Sequence, residues 1–364
     1  MTYAKQAIYR LPALAFITSF ALLLGVACEG QNKSKSASEL SKDAPKVQAV
    51  VNVYTHRHYD ADKKLFKLFE AKTGIKVNVK KNGADKLIEL LKTEGVNSQA
   101  DLLITADAGR LYYATELGLL QAVQSTVLDQ NVPELFRHKE HMWYALTKRA
   151  RVIAYSKERV KPSELSTYQA LTAPRWRGKI NIRSSNNIYN QSLMASLIAN
   201  DGRESATTWA RGIVANFARP PKGNDRDQVK EVALGHGDIA IVNTYYIGKL
   251  LNSSNTMEAQ AGKSVGVFFP NQETTGTHIN ISGLGLTKYA PNRANAIKLM
   301  EFLTGEAAQE IFASSNYEYP VNTKVKPSAL LQSWGAFKED TLNLEMLGKN
   351  NAQAIEVFAA AEWR

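Results

Sequence analysis

Val50-Val51-Asn52-Val53-Tyr54 is a short β-rich run, and the segments that follow it set the architecture. Asp60 or Asp62 stands where it can cap a helix. The apolar face of that helix carries Leu65, Leu68, Phe69 and Ala71, and Gly74 ends it. Lys76 to Lys80 alternates through Val77 and Val79, which is strand spacing. Ala84 to Glu94 reads as a helix with Leu87, Leu90 and Leu91 on one side. Asp101 to Thr105 is a buried-strand run, and a helix follows over Ala108 to Leu117. This βαβαβ rhythm predicts a parallel sheet with helices on both faces. Ligands of such sheets sit beyond the carboxyl ends of the strands, so the residues just after Tyr54 are well placed.

A second α/β block lies further along. Lys179 to Ile182, Asp238 to Val242, Val265 to Phe269 and Ile279 to Leu286 read as strands. Gln191 to Ile198, Ser205 to Ala215 and Ala294 to Leu303 read as helices. Two connections have the character of crossings between lobes. One is the extended run Ala145 to Ala154 with Arg149 and Arg151; the other is Phe269 to His278, polar and holding Pro270 and Gly276. Two crossings imply a cleft that opens and closes about hinges. The expected fold is therefore α/β and two-lobed, each lobe a mixed sheet flanked by helices. The N-lobe is expected from residues 47–146 plus 278–322, and the C-lobe from 147–277 plus 323–364.

The chain has 364 residues, more than one typical domain, and its 44% apolar content supplies a core without disulfide staples. Residues 1–27 read as a signal peptide. Lys5 and Arg10 give a positive start, and Ala13 to Ala27 is an apolar run too short to span a bilayer comfortably. Cys28 follows Leu24-Gly25-Val26-Ala27, which resembles a lipoprotein cleavage box with Gly25 where leucine is usual. No twin-arginine pair is present, so the general secretion route is expected. The chain is thus read as periplasmic and anchored to the membrane through a lipid on Cys28, with residues 28–46 as anchor and flexible linker. Cys28 is the only cysteine, so the folded part has no thiol for a disulfide, a metal or a nucleophile. The formal charge is +11, or +9 once Lys5 and Arg10 leave with the leader. The lysines are scattered and the protein is exported, which argues against nucleic acid as a partner.

Three groups carry the chemistry. His58-Tyr59 follows the first strand, Tyr189 sits in Ser184-Ser185-Asn186-Asn187-Ile188-Tyr189-Asn190, and Tyr245-Tyr246 follows the strand ending at Val242. All fall just after predicted strands, where loops face a cleft, with the first group from one lobe and the others from the second. Each also has a plain reading. A Tyr-Tyr pair is ordinarily one core and one surface residue, a His-Tyr after a strand is a turn, and Tyr189 alone says nothing. If the tyrosines converge, they suit a hard trivalent cation such as Fe³⁺, because phenolate is a hard anionic donor. A free phenol titrates near ~10, so binding at neutral pH would release protons and weaken in acid. Four phenolates exceed the charge of Fe³⁺ by one, and Arg149 or Arg151 is placed to balance it. Neighbours on a strand face opposite ways, so Tyr245 and Tyr246 can share an ion only if the strand ends before them. Asn243 or Thr244 can cap a helix that starts there.

Arg57-His58-Tyr59, Asp107-Ala108-Gly109-Arg110-Leu111, Lys148-Arg149-Ala150-Arg151-Val152 and Trp176-Arg177-Gly178 recur in order with Gly237-Asp238-Ile239-Ala240 and Asn243-Thr244-Tyr245-Tyr246. Pro270-Asn271-Gln272 and Gly276-Thr277-His278-Ile279-Asn280-Ile281-Ser282-Gly283 complete the set. Together, over essentially all of residues 48–364, the chain resembles the periplasmic ferric-iron-binding components of ABC importers, of the cyanobacterial Fut type. The resemblance implies a class II periplasmic-binding fold. It implies Tyr59, Tyr189, Tyr245 and Tyr246 as ligands of transported Fe³⁺, with His58 as a fifth. It also implies an importer permease and ATPase as partners, with the binding protein acting as a monomer. Relatives with this tyrosine set use few or no exogenous anions, whereas two-tyrosine relatives need a carbonate- or phosphate-like partner.

Two other readings are weighed. The same fold can bind a polyamine, sulfate or another small anion. A polyamine wants a carboxylate-lined cleft, yet acids such as Glu70 and Glu89 fall at helical surface positions. An enzyme on this fold, as thiaminase-like proteins are, needs a cysteine that the folded part lacks. His138 and His141 are three apart, but beside Glu140 and Met142 they read as a solvated face. The chain is accordingly expected not to be an enzyme.

Overall fold

A computed structural model describes residues 48–57 and 59–364. The expected signal peptide and linker, Cys28 and His58 lie outside the described residues. Ten strands are found among the described residues. They are β1 (Val50–Thr55), β2 (Lys76–Lys81), β3 (Leu102–Ala106), β4 (Leu120–Gln121), β5 (Tyr144–Ser156), β6 (Ile180–Asn181), β7 (Ile239–Asn243), β8 (Val265–Phe268), β9 (Ile279–Thr287) and β10 (Tyr319–Pro320). The helices of the first half are α1 (Asp60–Thr73), α2 (Ala84–Glu94), α3 (Ala108–Glu116), α4 (Thr126–Asn131), α5 (Ile188–Asp201), α6 (Arg203–Ala215) and α7 (Asp225–Ala233). Then come α8 (Thr244–Leu251), α9 (Thr256–Ser264), α10 (Arg293–Thr304), α11 (Glu306–Asn316), α12 (Ala329–Ser333), α13 (Glu345–Lys349) and α14 (Asn351–Ala360). None of the described helices is long and apolar enough to cross a membrane.

The strands run in the order β2-β1-β3-β9-β5-β7-β6. The βαβαβ rhythm produces the parallel part, in which β1 lies between β2 and β3 with Val53 opposite both Val79 and Leu102. The sheet as a whole is mixed, because β9 and β5 return antiparallel. This is the mixed sheet expected for the fold: the parallel rhythm holds over β1–β3, and β9 runs antiparallel to both β3 and β5. β5 is shared. Its Tyr144–Ala150 part pairs with β9, and its Arg151–Tyr155 part pairs with β7. The predicted crossing at Ala145 to Ala154 is thus one continuous strand. β8 pairs with the second half of β5 and β9 with the first, and β10 pairs with β5 at Thr147 and Lys148.

Burial follows side-chain spacing with some shifts. In α1 the buried face is Ala61, Leu65, Phe66 and Phe69, the i, i+4, i+5, i+8 stripe of an amphipathic helix. Leu68 is 42% exposed and Ala71 is exposed, so the predicted face was turned by one residue. Neither aspartate caps α1. Its N-cap is Tyr59, in extended conformation, while Asp62 is taken by Arg57 at 3.0 Å. Gly74 ends the helix at φ 71°, in the left-handed region that favours glycine. One apolar core runs from the β1–β3 helices through β5 to Val242 and Leu250. A second occupies the other face around β6 and β7, where Trp209, Phe358 and Trp363 pack. The histidine pair does not form a solvated face: His138 is 6% exposed in a turn, 3.4 Å from Glu345 and edge-on to Trp143.

Candidate metal centre

Helix starts place all four tyrosines. Tyr59 is the N-cap residue of α1, directly after β1. Tyr189 is the second residue of α5, where the Asn187 side chain accepts from the Tyr189 amide at 3.1 Å. That helix begins earlier than its predicted Gln191, so Tyr189 lies in its first turn rather than in a loop. β7 ends at Asn243 and α8 begins at Thr244, so Tyr245 and Tyr246 share a first helical turn. The geometric condition on the pair is met. The four tyrosines thus stand at three helix N-termini, each of which carries a partial positive charge from its free amides.

The rings converge. Tyr245 donates its hydroxyl hydrogen to the Tyr189 hydroxyl at 3.2 Å. The Tyr59 and Tyr245 rings lie edge to face with centroids 6.5 Å apart, and those of Tyr245 and Tyr246 are 4.2 Å apart. Tyr59, Tyr189 and Tyr246 line a cavity of about 460 Å³, and Tyr245, 2% exposed, lies beneath. Among the described residues no three His, Cys, Asp or Glu side chains gather as a metal cage. Phenols are the most numerous oxygen donors of the cavity lining, beside one carboxylate, Asp60.

A family profile described as a bacterial extracellular solute-binding protein matches residues 97–336. The chain belongs to that family. This solute-binding protein is 50% identical over 322 residues to iron uptake protein A1 of Synechocystis sp., covering 88% of this chain and 89% of that one. Among solved structures it is similar to the Trichodesmium FutA (IdiA) protein in complex with iron and citrate, at 49% identity and a TM-score of 0.84. That match covers 87% of this chain and all of the other. It is also similar to apo FutA2 from Synechocystis PCC6803, at 42% identity and a TM-score of 0.82, over 87% of this chain and 100% of that one. The two-lobed fold expected from the sequence is the fold of these neighbours.

The electrostatics of this solute-binding protein's cleft are set by burial. Tyr59, Tyr245 and Tyr246 are all pushed above the ordinary phenol range, first by burial, with Tyr189 adding at each of the three. Glu318 adds to the effect at Tyr59, and Asp225 at Tyr246. Arg149 opposes it at Tyr59 and Tyr245. Its guanidinium is 5.5 Å from the Tyr189 ring centroid, and both of its terminal nitrogens are buried without a hydrogen-bond partner. The nearest carboxylate oxygen, on Asp107, is 4.0 Å away. Arg151 differs: it donates to Asp225 and Asn190, each at 2.8 Å, and to Asn243 at 3.2 Å. The two hinge arginines therefore divide, and Arg149 is the one whose charge remains for the tyrosines.

Two cations stand beside Tyr59, of which the sequence reading had only Arg57, as part of a motif and without a role. Arg57 stacks over its ring at 4.7 Å, held by Asp62 and by Glu318 at 3.4 Å. Lys249 places its ammonium 3.8 Å from the same centroid, and burial holds its pKa down to about 8. A signal existed for Lys249, which is four residues from Tyr245 and so on the same helix face. None existed for Glu318, which arrives from a distant segment.

Proposed function

We propose that the protein captures Fe³⁺ in the cleft through tyrosinate oxygens of Tyr59, Tyr189, Tyr245 and Tyr246 and delivers it to an ABC importer. The observation that carries this reading is the 3.2 Å approach of the Tyr245 and Tyr189 hydroxyls, with Tyr59 facing them from the opposite lobe. Hard, anionic oxygen suits a trivalent ion. The relatives' names, iron uptake protein and a FutA solved with iron and citrate, support it. His58, next to Tyr59, is proposed as the fifth ligand on the strength of the family resemblance. Arg149 is proposed to offset the surplus negative charge.

The lobes are proposed to divide at 146/147, 277/278 and 322/323, with crossings at β5, β8–β9 and β10. The rest of the proposal follows the sequence reading. The protein acts as a periplasmic monomer tethered by a lipid on Cys28, docks on a permease with its ATPase, and binds rather than catalyses.

The test is titration with Fe³⁺ while watching for a tyrosinate-to-iron charge-transfer band. Tyr189→Phe and Tyr245→Phe should each shift or weaken the band and lower affinity. If neither changes, the ligand assignment is wrong. A second reading, a small inorganic anion in the same cleft, has one observation in its favour: Arg226 and Lys249 line the cavity against a single acid, Asp60. The same lining disfavours a polyamine. Phosphate or sulfate raising the melting temperature more than Fe³⁺ does would favour the anion.

A further inference from the structure

Gly248 lies inside α8, two residues after Tyr246 and one before Lys249. Its backbone does not need glycine, since it is helical and not among the positive-φ positions. Glycine in a helix interior costs roughly 0.5–1 kcal/mol relative to alanine, so another reason is required. The reason is space. A Cβ at 248 would stand 2.6 Å from the Cβ of Tyr317 and 2.7 Å from its Cγ. Those atoms are at the root of the side chain, where a rotamer change gives no relief.

Tyr317 falls in the other lobe under the division proposed above. It caps the C-terminus of α11, a helix packed on α1 and α10, in the left-handed region at φ 57°. Such a conformation is uncommon for a residue other than glycine and marks a position held by its surroundings. The next residue, Glu318, is buried against Arg57, which stacks on Tyr59. On the α8 side, Lys249 reaches the same Tyr59 ring. The seam between α8 and the Tyr317 segment therefore runs beside the tyrosine cluster and ties into it from both lobes.

We infer that Tyr317 seated on Gly248 is the clasp of the closed cleft, with the missing side chain at 248 setting how far the lobes shut. Neither residue touches the ion; both are positioning residues that govern its retention. The inference rests on the Fe³⁺ reading above.

The experiment loads the full chain with Fe³⁺, adds excess chelator and follows loss of the charge-transfer band for wild type, Gly248→Ala, Tyr317→Gly and the double variant. Gly248→Ala should release iron at least tenfold faster, and its loaded form should have a larger radius of gyration by X-ray scattering. Tyr317→Gly suits the left-handed backbone and empties the space, so the double variant should release iron more slowly than Gly248→Ala alone. A merely structural role would instead show as a lowered apo unfolding midpoint. The apo unfolding midpoint of Gly248→Ala should equal or exceed that of wild type, since alanine favours the helix. An unchanged chase, a double variant no slower than Gly248→Ala, or a lowered apo midpoint overturns the clasp. A wild-type chain that develops no band overturns the ferric reading instead, and the clasp's role in retention falls with it.

Discussion

Arg151 donates to Asp225 at 2.8 Å in a part of the hinge strand closed to solvent, with exposures of 1% and 0% for the two side chains. Breaking a buried pair by removing one partner strands the other charge and costs about 3–5 kcal/mol. Arg151→Ala should therefore lower apo stability by that order in urea unfolding. Arg149→Gln, which removes a cation with no close hydrogen-bond partner, should cost less stability yet weaken Fe³⁺ binding by at least tenfold. Equal effects of the two variants on both measurements would contradict the division of roles.

Iron binding should strengthen steeply with pH. Burial holds Tyr59, Tyr245 and Tyr246 above the ordinary phenol pKa, so each is neutral in the free protein at pH 7 and must release a proton to ligate. Each released proton adds about a tenfold change in apparent affinity per pH unit, so these three phenols alone give at least roughly 10³ per unit. Competition with a chelator of known pH behaviour between pH 6 and 8 measures the slope. A slope near zero is incompatible with phenolate ligation.

His278 should make the fold acid-sensitive. Burial, then Arg151 and Arg149, hold its pKa down to about 3. The unfolded imidazole titrates near ~6.5, so below that pH the unfolded state binds a proton that the native state refuses. The stability this neutral ring contributes is present above ~6.5 and falls by about 1.4 kcal/mol per pH unit toward the folded value. His278→Gln removes the effect. Urea midpoints of wild type and variant should change in relative stability by about 2 kcal/mol between pH 7 and pH 5. Parallel pH curves would rule this out.

Gly276, in the second crossing, has φ 93°, and a Cβ there would meet the carbonyl carbon and oxygen of Glu339 at 2.6 Å. Both the backbone conformation and the space require glycine. Gly276→Ala should destabilise the protein by about 1–3 kcal/mol, as overpacking against immobile backbone does. A loss below about 0.5 kcal/mol in urea unfolding would show that the crossing yields easily.

Local spacing was enough to find the strands β1, β3, β7 and β9 and the helix that Gly74 ends; for Tyr245 and Tyr246 it gave only the condition that the strand end before them, which the end of β7 at Asn243 meets. Those features depend on neighbours within a few residues, which a sequence displays directly. The turned face of α1 and the burial of His138 were not legible, because each was decided by what packs against it. Arg149 and Arg151 show the limit most clearly. Two apart on one strand, they share a face and read alike. Asp225, arriving 74 residues further on, neutralises one and leaves the other. The sequence by itself determined which side chains could bind a hard ion and which segments form the strands that precede them. Only the tertiary structure decided which charges face those phenols and how closely the lobes meet, because both depend on contacts between residues far apart in the chain.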